Sequence, residues 1–301
     1  MENNPQFQVL LYYKYVPIAN PEALQKEQED LCKKLNLKGR IIVSKEGING
    51  TLEGLTADTE KYVEEMVKNP LFQDVHFKRS VGTGSAFPKL SIKVRSEIVS
   101  AHLDGDDLNP NEITGKYLTA EELHEWFSSQ KEFYIVDMRN DYEHKVGYFK
   151  DTIFAPFSNF RDLPKVLPAL EHLKNKTILT VCTGGVRCEK ASGFLVKHGF
   201  SDVYQLYGGI VTYMEKYPNE HFKGKLYVFD GRVVMGFNTD SPEHEIVSKC
   251  DKCGAVSDRY VDCAYKHCKG HRHFICCENC SEKDGKSYCS EECLQKSREK
   301  I

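Results

Sequence analysis

Between Phe7 and Arg95 the apolar positions follow two different periods. Strand-like runs occur at FQVLLYYKYV (7–16), RIIVS (40–44), INGTLEG (48–54), DVHFKRS (74–80) and KLSIKVR (89–95). Between them, Pro21 to Leu35 and Thr56 to Val67 place apolar side chains at helical spacing, with Asn20 and Thr56 as candidate caps. The order β-α-β-β-α-β predicts a ferredoxin-like (acylphosphatase-like) α+β domain over residues 1–95, with one extra strand at its end. Gly47, Gly50 and Gly54 fit a hairpin at 44–51, where they serve either turn geometry or the close approach of a ligand.

Residues 96–115, with Asp104-Gly105, Asn109-Pro110 and several acids, read as a linker. Beyond it, FYIVD (133–137), TIFAP (152–156), TILTV (177–181) and VYQLY (203–207) alternate with helical patterns near 119–129, 163–173, 187–198 and 210–217. Such alternation predicts a parallel α/β domain over 116–217, whose ligands sit at the carboxyl ends of its strands. Residues 218–301 form a third region. In it, Lys225 to Phe229 and Arg232 to Phe237 pair as a hairpin around Asp230-Gly231, followed by a cysteine-rich tail.

A chain of 301 residues has room for two or three cores, and 40% hydrophobic residues with a formal charge of −3 are ordinary for a folded protein. Phe7 to Ile18 is interrupted by Gln8, Lys14 and Pro17 and lacks a basic leader, so it reads as a strand rather than a signal peptide. No apolar run has the length of a membrane span. A cytoplasmic location and no membrane partner are the expectation. Nine of the twelve cysteines fall between Cys250 and Cys293, which is a local device and not a disulfide scaffold spread over the chain.

The chemistry concentrates in TILTVCTGGVRCEKASGFLVKHG, which puts Cys182 at the carboxyl end of a buried strand just before a helix. The glycines let the backbone N–H groups of Thr183, Gly184, Gly185 and Val186 converge on one sulfur, and Arg187 adds positive potential. Such surroundings lower a cysteine pKa from about 8.5 into roughly the 3.5–7.5 range, so Cys182 is expected to be largely thiolate. The bland alternative for a cysteine at this place is a small packed hydrophobe. Only four residues separate Cys182 from Arg187, one fewer than a phosphate cradle would have, which disfavours a phosphatase. Cys188, in the first helical turn, is either a resolving thiol or a packed residue.

In the tail, Cys250-x2-Cys253, Cys263-x4-Cys268, Cys277-x2-Cys280 and Cys289-x3-Cys293 supply eight thiols, enough for two tetrahedral zinc sites with a structural role. Four thiolates leave no open position for substrate. The pairing is open, Cys276 is left over, and His267, His271 or His273 could replace a thiol. Basic patches at Lys78-Arg79, Lys89-Lys93-Arg95 and Lys266-Lys269-Arg272, with Tyr12, Tyr13, Tyr15 and Phe87 nearby, are a weak signal for RNA, because no segment is strongly basic.

The CTGGVR loop resembles the active-site loop of the rhodanese family, as do VDMR (136–139), EHKVGYFKDTIFAP (143–156) and LYGGI (206–210). The likeness implies that Cys182 is catalytic, with Arg187 and the loop amides stabilising its anion. Asp137 and Arg139 read as structural, fixing the strand end. Taken with KEGINGTLEG (45–54), FPKLSIKVR (87–95) and the cysteine tail, the chain resembles the tRNA uridine(34) hydroxylase family from about Phe7 to Cys293. That resemblance implies oxygen-dependent 5-hydroxylation of the wobble uridine, an oxidoreductase reaction with O2 as co-substrate and the tRNA anticodon loop as partner. No flavin, haem or 2-His-1-carboxylate iron motif and no obligate protein partner is identifiable. A thiosulfate or persulfide sulfurtransferase and a non-catalytic zinc-dependent RNA- or protein-binding scaffold are the competing readings.

Overall fold

Strand Phe7–Tyr15 (β1) is apolar on both faces, and the fold uses both. In the computed structural model, which describes residues 6–103, 108–269 and 273–299, β1 lies inside a five-stranded sheet. The other strands are Lys38–Ser44 (β2), Gly47–Leu55 (β3), Lys78–Val81 (β4) and Leu90–Val94 (β5), with Pro21–Lys34 (α1) and Thr56–Lys68 (α2) between them. Their order is β4-β1-β3-β2-β5, with β5 parallel to β2 and the other neighbours antiparallel. The extra final strand therefore lies at the edge beside β2.

Alternation along β1 sends Leu10 and Tyr12 into the core beneath α1 and α2, with Ile41, Ile48, Leu52, Tyr62 and Phe72. Leu11, Tyr13 and Tyr15 point the other way, toward the second domain. Asn20 caps α1 by accepting from the Ala23 amide at 2.9 Å. Thr56 is not a cap: it is the first residue of α2, and its hydroxyl donates to the Gln6 carbonyl. Gly47 (φ +148°) crosses β1 so closely that a Cβ would lie 2.0 Å from the Lys14 carbonyl oxygen, so it serves strand packing.

The second domain runs Lys116–Leu118 (β6), Ala120–Ser128 (α3), Tyr134–Asp137 (β7), Gly147–Phe149 (β8), Ile153–Phe154 (β9), Val166–Leu170 (α4), Thr177–Val181 (β10), Val186–Lys197 (α5), Asp202–Leu206 (β11) and Gly209–Lys216 (α6). Its sheet has the order β6-β11-β10-β7-β9 with every pair parallel. The continuous helix expected over 163–173 is broken into a 3₁₀ turn at Phe160–Lys165, the short α4 and a second 3₁₀ turn at Glu171–Leu173. Pro164 and Pro168 carry no amide hydrogen for a longer ladder. The expected strand 152–156 shrinks to two residues.

Residues 96–115 are packed where described: Ile98, Ala101, Leu103 and Leu108 are buried, and the Ile98 amide donates to Glu46 at 2.7 Å. Asp104 and Gly105 lie outside the described residues. Phe222–Gly224 (β12) then pairs with β8. Leu226–Tyr227 (β13) and Val234–Met235 (β14) form the expected hairpin in shortened form, whose tip is held to the first domain where Gly231 donates to the Ala86 carbonyl. Tyr260–Asp262 (β15), His273–Ile275 (β16) and Glu291–Arg298 (α7) complete the tail. Among the described residues no helix is long and apolar enough to cross a membrane.

Candidate functional site

Strand β10 delivers Cys182 to the carboxyl edge of the parallel sheet, and α5 starts at Val186. Between them Gly185 adopts φ +101°, a left-handed value closed to most residues, and its amide donates to Cys182 Sγ at 3.2 Å. The sulfur is fully buried. Burial opposes its ionisation, but hydrogen bonds from the Cys188 thiol, the Arg187 charge and the amides of Cys188 and Arg187 outweigh it and bring Cys182 down to about 6. Of the four amides expected to converge on the sulfur, Gly185 makes a hydrogen bond to it, and the backbone of Arg187 and Cys188 adds to the stabilisation of its anion. Burial and the neighbouring Cys182 hold the Cys188 thiol well above its ordinary range, so it stays protonated and serves as a donor.

The Arg187 guanidinium makes no hydrogen bond to the sulfur. It forms a two-pronged, buried pair with Glu143, Nη1 to Oε1 and Nη2 to Oε2 at 2.8 Å, while Thr183 Oγ1 bonds Glu143 at 3.2 Å. Glu143 opens the EHKVGYFKDTIFAP motif, whose local pattern points to no role for it. Its clamp fixes Arg187, which acts on Cys182 through its field. Glu143→Gln is expected to lower stability by about 3–5 kcal/mol, because it leaves a buried guanidinium without its opposite charge. Denaturant unfolding followed by Trp126 fluorescence measures this for the second domain. Asp137 and Arg139 form a separate buried pair at 2.7 Å, and Arg139 also donates to the Gly147 carbonyl at 2.8 Å. They fasten the end of β7 to β8, as expected.

The free face of the first sheet covers this loop. A Cβ on Gly184 would fall 2.8 Å from Leu11 Cδ2, Tyr13 donates to Glu189 at 2.8 Å, and Tyr15 donates to the Val186 carbonyl at 3.3 Å. Lys190 on α5 bridges back to Glu46 at 2.9 Å and Glu97 at 2.8 Å. Beside the contact a cleft of about 570 Å³ opens onto Thr183, Gly184 and Arg187. Arg40, Lys93, Arg95 and Arg161 give it a basic lining, and Tyr142, Phe160 and Phe229 supply aromatic surface.

The basic patches expected from sequence are regrouped. Strand alternation separates Lys78, which is buried, from Arg79, which pairs with Glu60. Lys93 and Arg95 do line the cleft. Arg272 lies outside the described residues. Of the four aromatics, Tyr12 and Phe87 are core residues, and Tyr13 faces the cleft.

The eight tail thiols converge into two interleaved sets, Cys250, Cys253, Cys277 and Cys280, and Cys263, Cys268, Cys289 and Cys293, each with its sulfurs within 4.8 Å of one another. The separations Cys253–Cys277 (3.6 Å), Cys268–Cys289 (3.5 Å), Cys289–Cys293 (3.6 Å) and Cys268–Cys293 (3.8 Å) are too long for disulfides. They match the edge of about 3.8 Å of a tetrahedron with metal–sulfur bonds of about 2.3 Å, so both sets fit a thiolate-bound metal ion such as zinc. His267 and His273 belong to neither set, His271 lies outside the described residues, and Cys276, also in neither set, is buried in the core that packs around the second. His124, Glu220 and His221 also meet, with His124 Nδ1 3.3 Å from Glu220, although His124 is far from the other two in sequence. They lie beyond the far end of α6 from the loop, and stacking on Tyr217 and Phe127 accounts for the placement of the two rings.

A parallel sheet with a thiolate loop at its carboxyl edge defines a rhodanese-type protein, and the model of the rhodanese-like domain matches residues 119–216. Flanking matches are the UPF0176 acylphosphatase like domain over 7–98 and the rhodanase C-terminal over 223–294. The tRNA uridine(34) hydroxylase of Cytophaga hutchinsonii is 44% identical over 95% of this chain and 89% of its own. That of Bacillus licheniformis is 46% identical over 91% and 84%. Among solved structures, a rhodanese-like domain protein from Staphylococcus aureus is similar over 33% of this chain and 90% of its own, at 29% identity and a TM-score of 0.29. The chain belongs to the tRNA uridine(34) hydroxylase family.

Proposed function

We propose that this chain hydroxylates the wobble uridine of tRNA at C5, with Cys182 as the reacting group and O2 as co-substrate. The observation that carries the reading is a buried cysteine, its sulfur bonded by the Gly185 amide, under a basic and aromatic cleft large enough for a base. Anticodon nucleotides are single-stranded, so the target base can leave its stack and enter such a cleft at modest cost. Arg40, Lys93, Arg95 and Arg161 would hold its phosphates, and Tyr142, Phe160 or Phe229 would stack on bases.

In this mechanism the Cys182 thiolate adds to uracil C6, forming a C–S bond and moving the electron pair toward C5 and O4. C5 then attacks an oxygen donor. Loss of the C5 proton and expulsion of the thiolate restore the C5–C6 double bond, leaving C5–OH. Insertion of one oxygen is a two-electron oxidation of the base, so O2 as oxidant requires two further electrons from a reductant. Zinc in the two thiolate sets has a structural role and holds the tail against the second domain. The protein works in the cytoplasm, where tRNA is. Residues 1–95 and 116–217 form the two halves of the reacting centre, joined by 96–115, and 218–301 brace it.

Nucleoside mass spectrometry of tRNA tests the reading. Cells lacking the chain should lose 5-hydroxyuridine and regain it when the chain is restored; unchanged 5-hydroxyuridine without the chain would refute it.

A further inference from the structure

Lys78 opens β4 and pairs with Leu11 across the β1–β4 ladder, so its side chain shares the face of Leu11 and Tyr13 that covers the Cys182 loop. It is only 7% exposed, which is exceptional for a lysine. Its ammonium sits 5.1 Å from the centre of the Tyr13 ring. A hollow of about 220 Å³ is lined by Tyr13, Lys78, His76, Tyr117, Tyr207 and Glu189.

The charges around the loop make this lysine more than a packing residue. Arg187 is clamped by Glu143, and Lys190 is bonded to Glu46 and Glu97. Among the described residues Lys78 has no carboxylate partner at ion-pair distance. The charges that favour its protonated form act through space and belong to Cys182 and Glu189. Glu189 is already satisfied by donors from Tyr13 at 2.8 Å, Tyr117 at 3.0 Å and Gln205 at 3.0 Å. The donors to Cys182, the Gly185 amide at 3.2 Å and the Cys188 thiol, are neutral, and the Arg187 charge is shared with Glu143, so Lys78 is a buried cation beside the loop with no carboxylate of its own.

We propose that Lys78 is the counter-ion of the Cys182 thiolate, a positioning residue that the N-terminal sheet lends to the rhodanese loop. The proposal rests on the reading of Cys182 as the reacting group. It explains why an α+β sheet is docked over the loop: the sheet adds a second buried positive charge to that of Arg187.

The other titratable groups facing the pair do not interfere near neutrality. Burial holds the Tyr13 and Tyr15 hydroxyls and the Cys188 thiol protonated. Burial and the neighbouring Lys78 charge push His76 down to about 4, so it is neutral. Burial lowers Lys78 to about 8, against the pull of Cys182 and Glu189. With Cys182 at about 6, the thiolate–ammonium pair exists between those two values.

The test is a pH titration of the Cys182 thiolate in the full, metal-loaded chain, read as the ultraviolet absorbance difference between each protein and its Cys182→Ser counterpart. Wild type should titrate near pH 6. Lys78→Met should raise the midpoint by about one unit or more, which cuts the thiolate fraction at pH 6 roughly fivefold, and Lys78→Arg should restore it. Met is of similar volume and removes a buried charge, so the variant is expected to fold; Lys78→Gln repeats the measurement should it not. A Lys78→Met midpoint equal to a wild-type value near 6 overturns this inference alone. A wild-type midpoint above about 8.5, the ordinary thiol value, overturns it together with the thiolate reading of Cys182.

Discussion

Cys182→Ser is expected to abolish 5-hydroxyuridine formation, by a factor on the order of 10³ or more, while leaving the chain folded and its tail metal in place. The substitution removes one polarisable atom from a site built around an anion. A serine hydroxyl stays neutral at every pH the protein tolerates, so the Gly185 amide and the Cys188 thiol would face a weak acceptor in place of a thiolate. Quantifying 5-hydroxyuridine in tRNA from cells carrying the variant gives the result directly. Full retention would show that the cysteine is a spectator and leave the zinc-dependent scaffold as the better account. A sulfurtransferase would give a different pattern, releasing thiocyanate from thiosulfate and cyanide while tRNA hydroxylation survives deletion of the chain.

For the wild type the same logic sets a pH dependence. The folded-state pKa of Cys182 lies below that of a free thiol, so the ionised form is present above about 6 and is lost as pH falls through that value.

Much of this centre is written in local sequence. The strand before Cys182, the glycines and the helix start are consecutive, and each local preference agrees with the next, which is why the loop is legible in the sequence. Glu143 could not be assigned in that way. It stands 44 residues from Arg187 in the chain, and only the return of the β7–β8 connection over α5 brings it there. Strands β6, β8 and β12 are three residues each, too short for a period to register.

The docking of the first sheet on the loop left a trace that is clear only once the fold is known. FQVLLYYKYV is apolar at both odd and even positions, a pattern of strands buried on two sides, and a sheet with helices on one face needs a partner for the other. Lys78 contradicts that pattern as a charged residue on a covered face, and departures of this kind collect at functional sites. In the tail, the spacings identified four cysteine pairs but not how they combine. The first pair joins the third and the second joins the fourth, which winds the two sites around each other.

That interleaving makes the second large effect a consequence of metal removal. Between them the tail's described core residues are few, Cys263, Phe274, Cys276 and Tyr288, so most of its stability must come from metal–thiolate bonds. Stripping the chain with a chelator should release about two zinc ions per chain and unfold the region from Cys250 onward, with about 10–16 kcal/mol at stake for each structural zinc at neutral pH. The damage should not stop there. Tyr260 donates to the Tyr142 carbonyl at 2.8 Å and packs with Val146, Tyr227 and Ile275, so the folded tail holds the segment that carries Glu143. When β15 melts, that segment loses its cover, the Glu143 clamp that positions the Arg187 guanidinium opens, and as Arg187 moves away from the loop the field that acidifies Cys182 weakens. Metal analysis, limited proteolysis and the Cys182 titration, run on the same chelated sample, should therefore change together: zinc lost, the tail cleaved first, and the thiol midpoint raised. A metal-free chain that resists protease and keeps a midpoint near 6 would show that the tail neither needs zinc nor supports the loop.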